Sequence, residues 1–517
     1  MDVTNSFMGL EASLANDQKK RKKKKILTIY LPIGLGIAAI IILVIILCVV
    51  LPSKEDEGNE NKNTDIPSDI ETDIYSDIET DEREDKDDYA YKNVIKTKYI
   101  INEPNKKFKI LNIPVDNLKI NIYINNKKVD ELIGNKTEII VNNTIDNSID
   151  LKFNESLTNL SNLFKDIINL EEIDITGLNI NDVLDMEKLF SGCTSLKYAN
   201  LSYLEASKLD NMKSMFEGCT NLELMNMQNF NTKNVKNMNS MFKDCQKLKK
   251  ININYFDLSK ASDTVRMFAK CSLLTEVTLK SNDEEELLEM KSMFNGCTLL
   301  EKIDLELFNK KRIKSFDFAF NNCYSLKSID LSKFDTKEIT SIYSTFSNCT
   351  TLNSLDITVL DFSNTEDFSY AFRNCTSIKS LDLSNFNTTK ATGMTGTFFS
   401  CSSLTSIELN RFPISITSLN ELFSRCSSLE NISIKVERVQ SVDNMFKGCA
   451  NLKDLDLSEF NGNNIIFHRD FFPQEVTNCT VVYNSSLFQK VNINILIPNE
   501  GIIFEDINEN QTIFKNY

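Results

Sequence analysis

The sequence predicts an α/β fold, a solenoid of about twelve 26-residue strand-plus-helix coils behind an N-terminal single-pass transmembrane helix. Three observations carry this. A Phe-x-x-Cys signature recurs every 26 residues from Phe190/Cys193 to Phe398/Cys401, then at Phe423/Cys426 and Phe446/Cys449, and Phe164 keeps the phase one step earlier with Ile167 in the cysteine place. A fixed period sustained over most of a chain marks units that bury their apolar faces against their neighbours. Each unit also switches from a period of two to steps of three and four. Finally, 26 uncharged residues, Ile26–Leu51, directly follow seven consecutive basic ones, Lys19–Lys25.

In chain order, residues 1–25 read as a cytoplasmic tail ending in the basic cluster, and 26–51 as the membrane span. The run is long enough to cross a bilayer, and basic residues before a span stay on the cytoplasmic side. A cleaved signal peptide fits less well, because the apolar core is too long and no A-x-A-like site follows. Residues 52–90 form an acidic stalk: 53–88 hold 16 acidic and 4 basic residues of a chain whose net charge is −15, and they repeat Ser-Asp-Ile-Glu-Thr-Asp at Ser68 and Ser76. Such a segment buries little and extends by self-repulsion. Residues 91–147 alternate in short runs such as Leu118–Ile124, with Asn125-Asn126 where a hairpin turn fits, and predict a β-rich N-terminal cap. The solenoid spans 148–460, and 461–517, apolar but without the repeat, forms a C-terminal cap.

The repeat from Cys219 to Cys245 shows both halves. Leu222, Met225, Met227 and Phe230 alternate as on one face of a strand. Val235, Met238, Met241, Phe242 and Cys245 step by three and four, which suits one side of a short helix. Asn231 lies between, where its side-chain oxygen can hold a turn. Stacked copies would give a parallel sheet along one wall and helices along the other.

The fuller pattern M-F-x-x-C-x-x-L-x-x-I-D-L-S-x-F-x-T, which contains the L-x-x-I-x-L strand segment and is followed by a Val-x-x-Met-x-x-Met-like helix, resembles the BspA-like, 26-residue leucine-rich repeat of bacterial and protist surface proteins over residues 148–460. It departs from the ordinary leucine-rich repeat in carrying Phe or Leu, not Asn, in the loop after the strand. The resemblance implies a leucine-rich-repeat solenoid and a surface adhesin or ligand-binding role, with no shared chemistry.

Of thirteen cysteines, Cys48 falls in the span, Cys479 in the terminal cap, and eleven in one column. Neighbouring coils would bring these thiols close enough for disulfides. Parallel Cβ vectors, an odd count and apolar neighbours favour buried free thiols instead. The strand position between the alternating apolar residues holds Asp304, Asp330, Asp356, Asp382 and Glu408, with Asn200, Asn226 and Asn252 before them and Asp456 after. If the strands line a concave wall, this acidic stripe is a candidate partner-binding surface for a basic protein, and less readily for a cation; a solvated strand face is the plainer alternative.

Catalysis has no constellation to rest on. The single histidine, His468, sits in a His-Arg-Asp tripeptide without the phosphate loop, Asp-Phe-Gly or following Asn of a kinase. No cysteine–histidine spacing suits a metal, and no cofactor is implied. Basic residues outside Lys19–Lys25 form no patch for nucleic acid. Sequons place candidate glycosylation at Asn135, Asn142, Asn154, Asn159, Asn387, Asn431 and Asn484, whereas Asn348 and Asn374 adjoin core cysteines, where a glycan would be crowded. The reading is a non-enzymatic, membrane-anchored cell-surface protein at the plasma membrane, N-terminus cytoplasmic and C-terminus outside. It would bind a protein or glycan as an adhesin or receptor-like ectodomain. The competing reading is a membrane-tethered intracellular or organellar scaffold whose solenoid faces a reducing compartment.

Overall fold

The repeat unit does not form a helix. In the computed structural model, which describes residues 93–112, 119–133, 136–141, 148–251, 257–281, 288–305, 311–409, 415–466, 468–490, 497, 502–508 and 511–514, no α-helix occurs among those residues. Short 3-10 turns at Leu331–Lys333, Gly462–Asn464 and Ser485–Phe488 are the only helical backbone there. The strand-plus-helix expectation is therefore corrected to a β-solenoid of about twelve coils. No helix among the described residues is long and apolar enough to cross a membrane. The membrane helix is thus no part of the described fold, and Ile26–Leu51, with the basic cluster and the stalk, lies outside the described residues.

The reason for the missing helices lies in two left-handed residues per coil. Lys188 and Gly192 have φ of 54° and 76°, Ser214 and Gly218 of 54° and 77°, and Ser240 and Asp244 of 56° and 64°. A left-handed residue every fourth position cannot propagate a right-handed helix. The segment instead runs as consecutive tight turns: Leu189, Ser191 and Cys193 donate their N–H groups three residues back, to Met186, Lys188 and Phe190. The alternate N–H groups leave the coil. Met186, Lys188, Phe190 and Gly192 donate to the carbonyls of Asn211, Lys213, Met215 and Glu217 at 2.8–2.9 Å. Every backbone donor in this stretch is satisfied, half of them by the next coil. Parallel bridges run along the same line, from Asn159 through Asp185, Asn211 and Asn237 to Asp263.

Both apolar sets point inward, as the alternation and the three-four spacing require. Twelve phenylalanine rings, Phe164 to Phe446, stack along the axis with centroids 5.0–5.8 Å apart and planes within 28°. The edge of Phe471 closes the stack, 85° from Phe446. Beside it runs the cysteine column. Each of its eleven thiols donates to the carbonyl of the column phenylalanine in the coil before, at 3.0–3.3 Å. All eleven, and Cys479, are buried and unpaired.

The opposite wall is a discontinuous parallel sheet. Tyr198–Asn200 pairs with Leu224–Asn226, and Glu276–Thr278 with Lys302–Asp304. Ser406–Leu409, Asn431–Ile434, Asp454–Leu457, Thr480–Tyr483 and Ile503–Asp506 then form a continuous ladder, so two rungs follow the last Phe-x-x-Cys repeat. The antiparallel strand Gln511–Phe514 ends it. At the other end, Val94–Tyr99 pairs antiparallel with both Ser148–Phe153 and Leu170–Gly177. It thereby covers the first edge with strands, which is how an open solenoid end is protected.

Candidate binding wall

The wall strand reads apolar, acidic, apolar, and its pleat alternates accordingly. Ile407, Ile432 and Leu455 are buried, while Glu408 is exposed and Ser433 and Asp456 half-exposed. Parallel register sets Glu408 opposite Ser433 and Ser433 opposite Asp456. Asp382 follows the same column one coil earlier. These residues, with Asp454 and Asn431, line a groove of about 530 Å³ across five successive coils, from Ser380 to Val482.

Local hydrogen bonds fix the carboxylates. Ser433 Oγ donates to Asp456 Oδ2 at 3.0 Å, and the Ser458 N–H to Asp456 Oδ1 at 2.9 Å. Burial opposes ionisation of Asp456, but these donors outweigh it and hold its carboxyl below the usual range. The Ser384 N–H, 2.9 Å from Asp382 Oδ1, likewise lowers Asp382. The Asn431 amide, oriented as its neighbours require, donates to Asp454 Oδ2 at 2.6 Å.

Only part of the predicted stripe lines the groove. Asp382 and Glu408 enter the groove. Asp304 is half-buried at the end of the strand Lys302–Asp304, in register with Thr278. Asp330 and Asp356 are exposed outside the groove and close Asx turns: Asp330 Oδ1 accepts the Ser332 N–H at 3.0 Å, and Asp356 Oδ1 the Thr358 N–H at 2.9 Å. Asp454 was missed from the sequence because it lies two residues before the column, in a coil whose spacing has shortened to 23. No group of three or more His, Cys, Asp or Glu poised to hold a metal occurs among the described residues.

Among the candidate glycosylation residues, Asn154, Asn159, Asn387 and Asn431 are exposed and Asn484 half-exposed, while Asn135 and Asn142 lie outside the described residues. Asn431 lines the groove, so a glycan there would occupy it. Asn348 and Asn374 are engaged in an amide ladder: Asn374 Nδ2 donates to Asn348 Oδ1 at 2.6 Å, and Asn348 Nδ2 to Asn322 Oδ1 at 2.7 Å. The His-Arg-Asp tripeptide is structural. Asp443 accepts the Arg469 N–H at 2.6 Å, and Lys447 pairs with Asp470 at 2.9 Å.

A family model described as BspA type leucine rich repeat region matches residues 363–477, and one described as Mycoplasma protein of unknown function, DUF285, matches 158–281 and 288–412. No curated protein matches the chain significantly. Similar solved structures include a leucine-rich repeat protein from Bacteroides ovatus ATCC 8483, 18% identical, covering 63% of this chain and 89% of that one, with a TM-score of 0.36. Another is a leucine rich cell surface protein from Faecalibacterium prausnitzii A2-165, 16% identical, covering 70% of this chain and 85% of that one, with a TM-score of 0.32.

Proposed function

From the premise that this chain belongs to the BspA-type leucine-rich-repeat family, we propose that it is a cell-surface protein that binds a basic macromolecular partner through the groove between Ser380 and Val482, without catalysis. One observation carries the reading: Asp382, Glu408, Asp454 and Asp456 converge on a groove large enough to take side chains of a partner. Carboxylates lining a concave surface focus a negative potential outward and raise the rate of encounter with a basic protein. Adhesion is the surface role that this mode of recognition serves. The apolar run Ile26–Leu51, preceded by Lys19–Lys25, supports attachment to a membrane with the repeats outside.

The test is binding of the full chain to a Lys/Arg-rich peptide, with the variant Asp382→Asn/Glu408→Gln/Asp456→Asn as comparison. Asn at 456 keeps an oxygen for Ser458, so the turn survives while the charge goes. The expected result is roughly a tenfold loss of affinity and a shallower salt dependence. Equal binding by the variant refutes the groove.

The unpaired cysteines favour a second reading, a membrane-tethered scaffold facing a reducing compartment. External protease and glycosidase on intact cells separate the two. Cleavage or deglycosylation of the repeats supports the surface reading, and protection supports the scaffold.

A further inference from the structure

On the turn side of the solenoid, away from the wall, four successive coils break the column pattern with aromatic residues. Phe318 and Tyr370 stand five residues before their column cysteines, Phe399 two before, and Tyr343 six before, in places that hold Lys188, Lys213, Ser240 or Lys243 in earlier coils. Their rings form a surface strip. Phe318 meets Tyr343 at 5.1 Å and 60°, and Tyr343 meets Tyr370 at 5.8 Å and 80°. All four rings are half-exposed. The Tyr370 ring lies across Gly396, where a Cβ would stand 2.6 Å from Cε1. The glycine is what lets the ring lie there.

Two exposed arginines complete the strip. The Arg373 guanidinium lies 5.5 Å from the Tyr370 centroid and 5.1 Å from that of Phe399, and the Arg425 guanidinium 5.5 Å from Phe399. Charged residues elsewhere in the same two columns pair between coils, Lys243 with Glu217 at 2.6 Å and Lys270 with Asp244 at 3.6 Å. Arg373 has Ser347 and Phe399 as column neighbours, and Arg425 has Ser400 and Gly448, so the ladder offers neither a carboxylate. Neither guanidinium is held in an ion pair among the described residues.

We propose that this aromatic–arginine strip, from Phe318 to Arg425, binds an acidic polypeptide segment, with carboxylates on the two guanidinium forks and apolar side chains against Tyr343 and Tyr370. Stacking on a ring orders the guanidinium while leaving its in-plane N–H groups free for a carboxylate. Ordering that precedes the partner's arrival strengthens each contact formed. Exposed Tyr and Arg are also the residues that dominate protein-partner hot spots. In a chain of net charge −15 an acidic partner is otherwise repelled, and two cations held over rings favour this strip as the place of attachment. A pyranose, by contrast, stacks on an open ring face, and the rings of Tyr370 and Phe399 carry guanidiniums. Glu421, in the Tyr370 column two coils on, is the acidic neighbour whose charge acts on the Tyr370 phenol.

The experiment is fluorescence anisotropy with the full chain and a labelled short peptide in which Asp and Glu alternate with Ile and Tyr. Binding should weaken with salt and fall roughly tenfold in Arg373→Gln/Arg425→Gln. Arg373→Lys/Arg425→Lys should lose most of the same affinity, because Lys keeps the charge but not the fork. Glu421→Gln should bind more tightly. Thermal melts confirm that each variant folds. Parental affinity in the Gln or the Lys pair overturns the proposal. So does indifference to the peptide in a chain that takes a sialylated oligosaccharide through the same arginines.

Discussion

The thiol of Cys297 donates to the carbonyl oxygen of Phe268 in the preceding coil at 3.1 Å, and burial raises its ionisation well above the ordinary value. The same holds along the column, with Cys401 and Cys449 pushed up to about 12 by burial. In the unfolded chain these thiols ionise at pH ~8.5. Folding therefore gains from protonated thiols below that pH and loses the gain as pH rises toward the folded value. The denaturation midpoint should hold between neutral pH and ~8, then fall steeply above ~9. Lysines and tyrosines titrate there too, so the comparison that isolates the thiols is Cys401→Ala/Cys449→Ala. It should start lower at neutral pH and fall less steeply. An identical slope in the two proteins would remove the thiols from the explanation.

Phe294 lies mid-column, 5.4 Å from Phe268 and 5.8 Å from Phe320, and fully buried. Phe294→Ala leaves a cavity that the flanking rings cannot fill without leaving register, and should cost about 3–5 kcal/mol. Phe294→Leu keeps most of the volume and should cost less than half as much. Chemical denaturation monitored by circular dichroism measures both. Because coils are stabilised by their neighbours, the transition should also broaden in the alanine variant as the two halves uncouple.

Gly296, at φ +81°, has room for a methyl group, with Lys270 atoms no nearer than 3.5 Å to the place it would take. Gly296→Ala thus tests backbone conformation alone, and should cost about 1–2 kcal/mol. Asp244→Gly, in the same column, relieves that strain at the expense of ion pairs to Lys243 and Lys270, and should be close to neutral. Urea midpoints decide both. Equal stability of Gly296→Ala and the parent would refute the left-handed requirement.

That column also explains why the sequence misleads about helices. Steps of three and four put Met238, Met241, Phe242 and Cys245 on one side of a helix, but a series of tight turns places the same residues inward. The residue just before each column cysteine distinguishes the two. In eight of the eleven coils it is Gly (192, 218, 296 and 448), Asp (244) or Asn (322, 348 and 374), residue types that accept positive φ, while Lys270, Ser400 and Arg425 take the same conformation without that preference. The period, the phenylalanine column and the burial of the cysteines follow from sequence because every coil repeats them. The Tyr370–Arg373–Phe399 strip does not, because it consists of departures from the repeat. Likewise the groove spans the coils where the spacing shortens from 26 to 25 and 23, and the shortening alone does not say which side chains line it.

The acidic column therefore divides into members outside the groove and members that face it, although Asp382 and Asp456 hold the same turns as Asp330 and Asp356, and substitutions can separate the two groups. Asp330 caps the turn Leu331–Lys333, and Asp356 holds the Thr358 N–H, both outside the groove. Asp330→Asn/Asp356→Asn keeps both acceptors and should leave stability and peptide binding unchanged. Asp330→Ala loses its acceptor and should lower stability by about 1 kcal/mol, again without affecting binding. Asp382→Asn/Glu408→Gln removes two charges from the groove and should weaken a Lys/Arg-rich peptide several-fold while the melt stays in place. Titrations and melts on these three variants and the parent give the answer. If Asp330→Asn/Asp356→Asn weakens the peptide as much as the groove pair does, the partner is reading the length of the stripe, and recognition is a matter of summed charge along the wall, not of the groove.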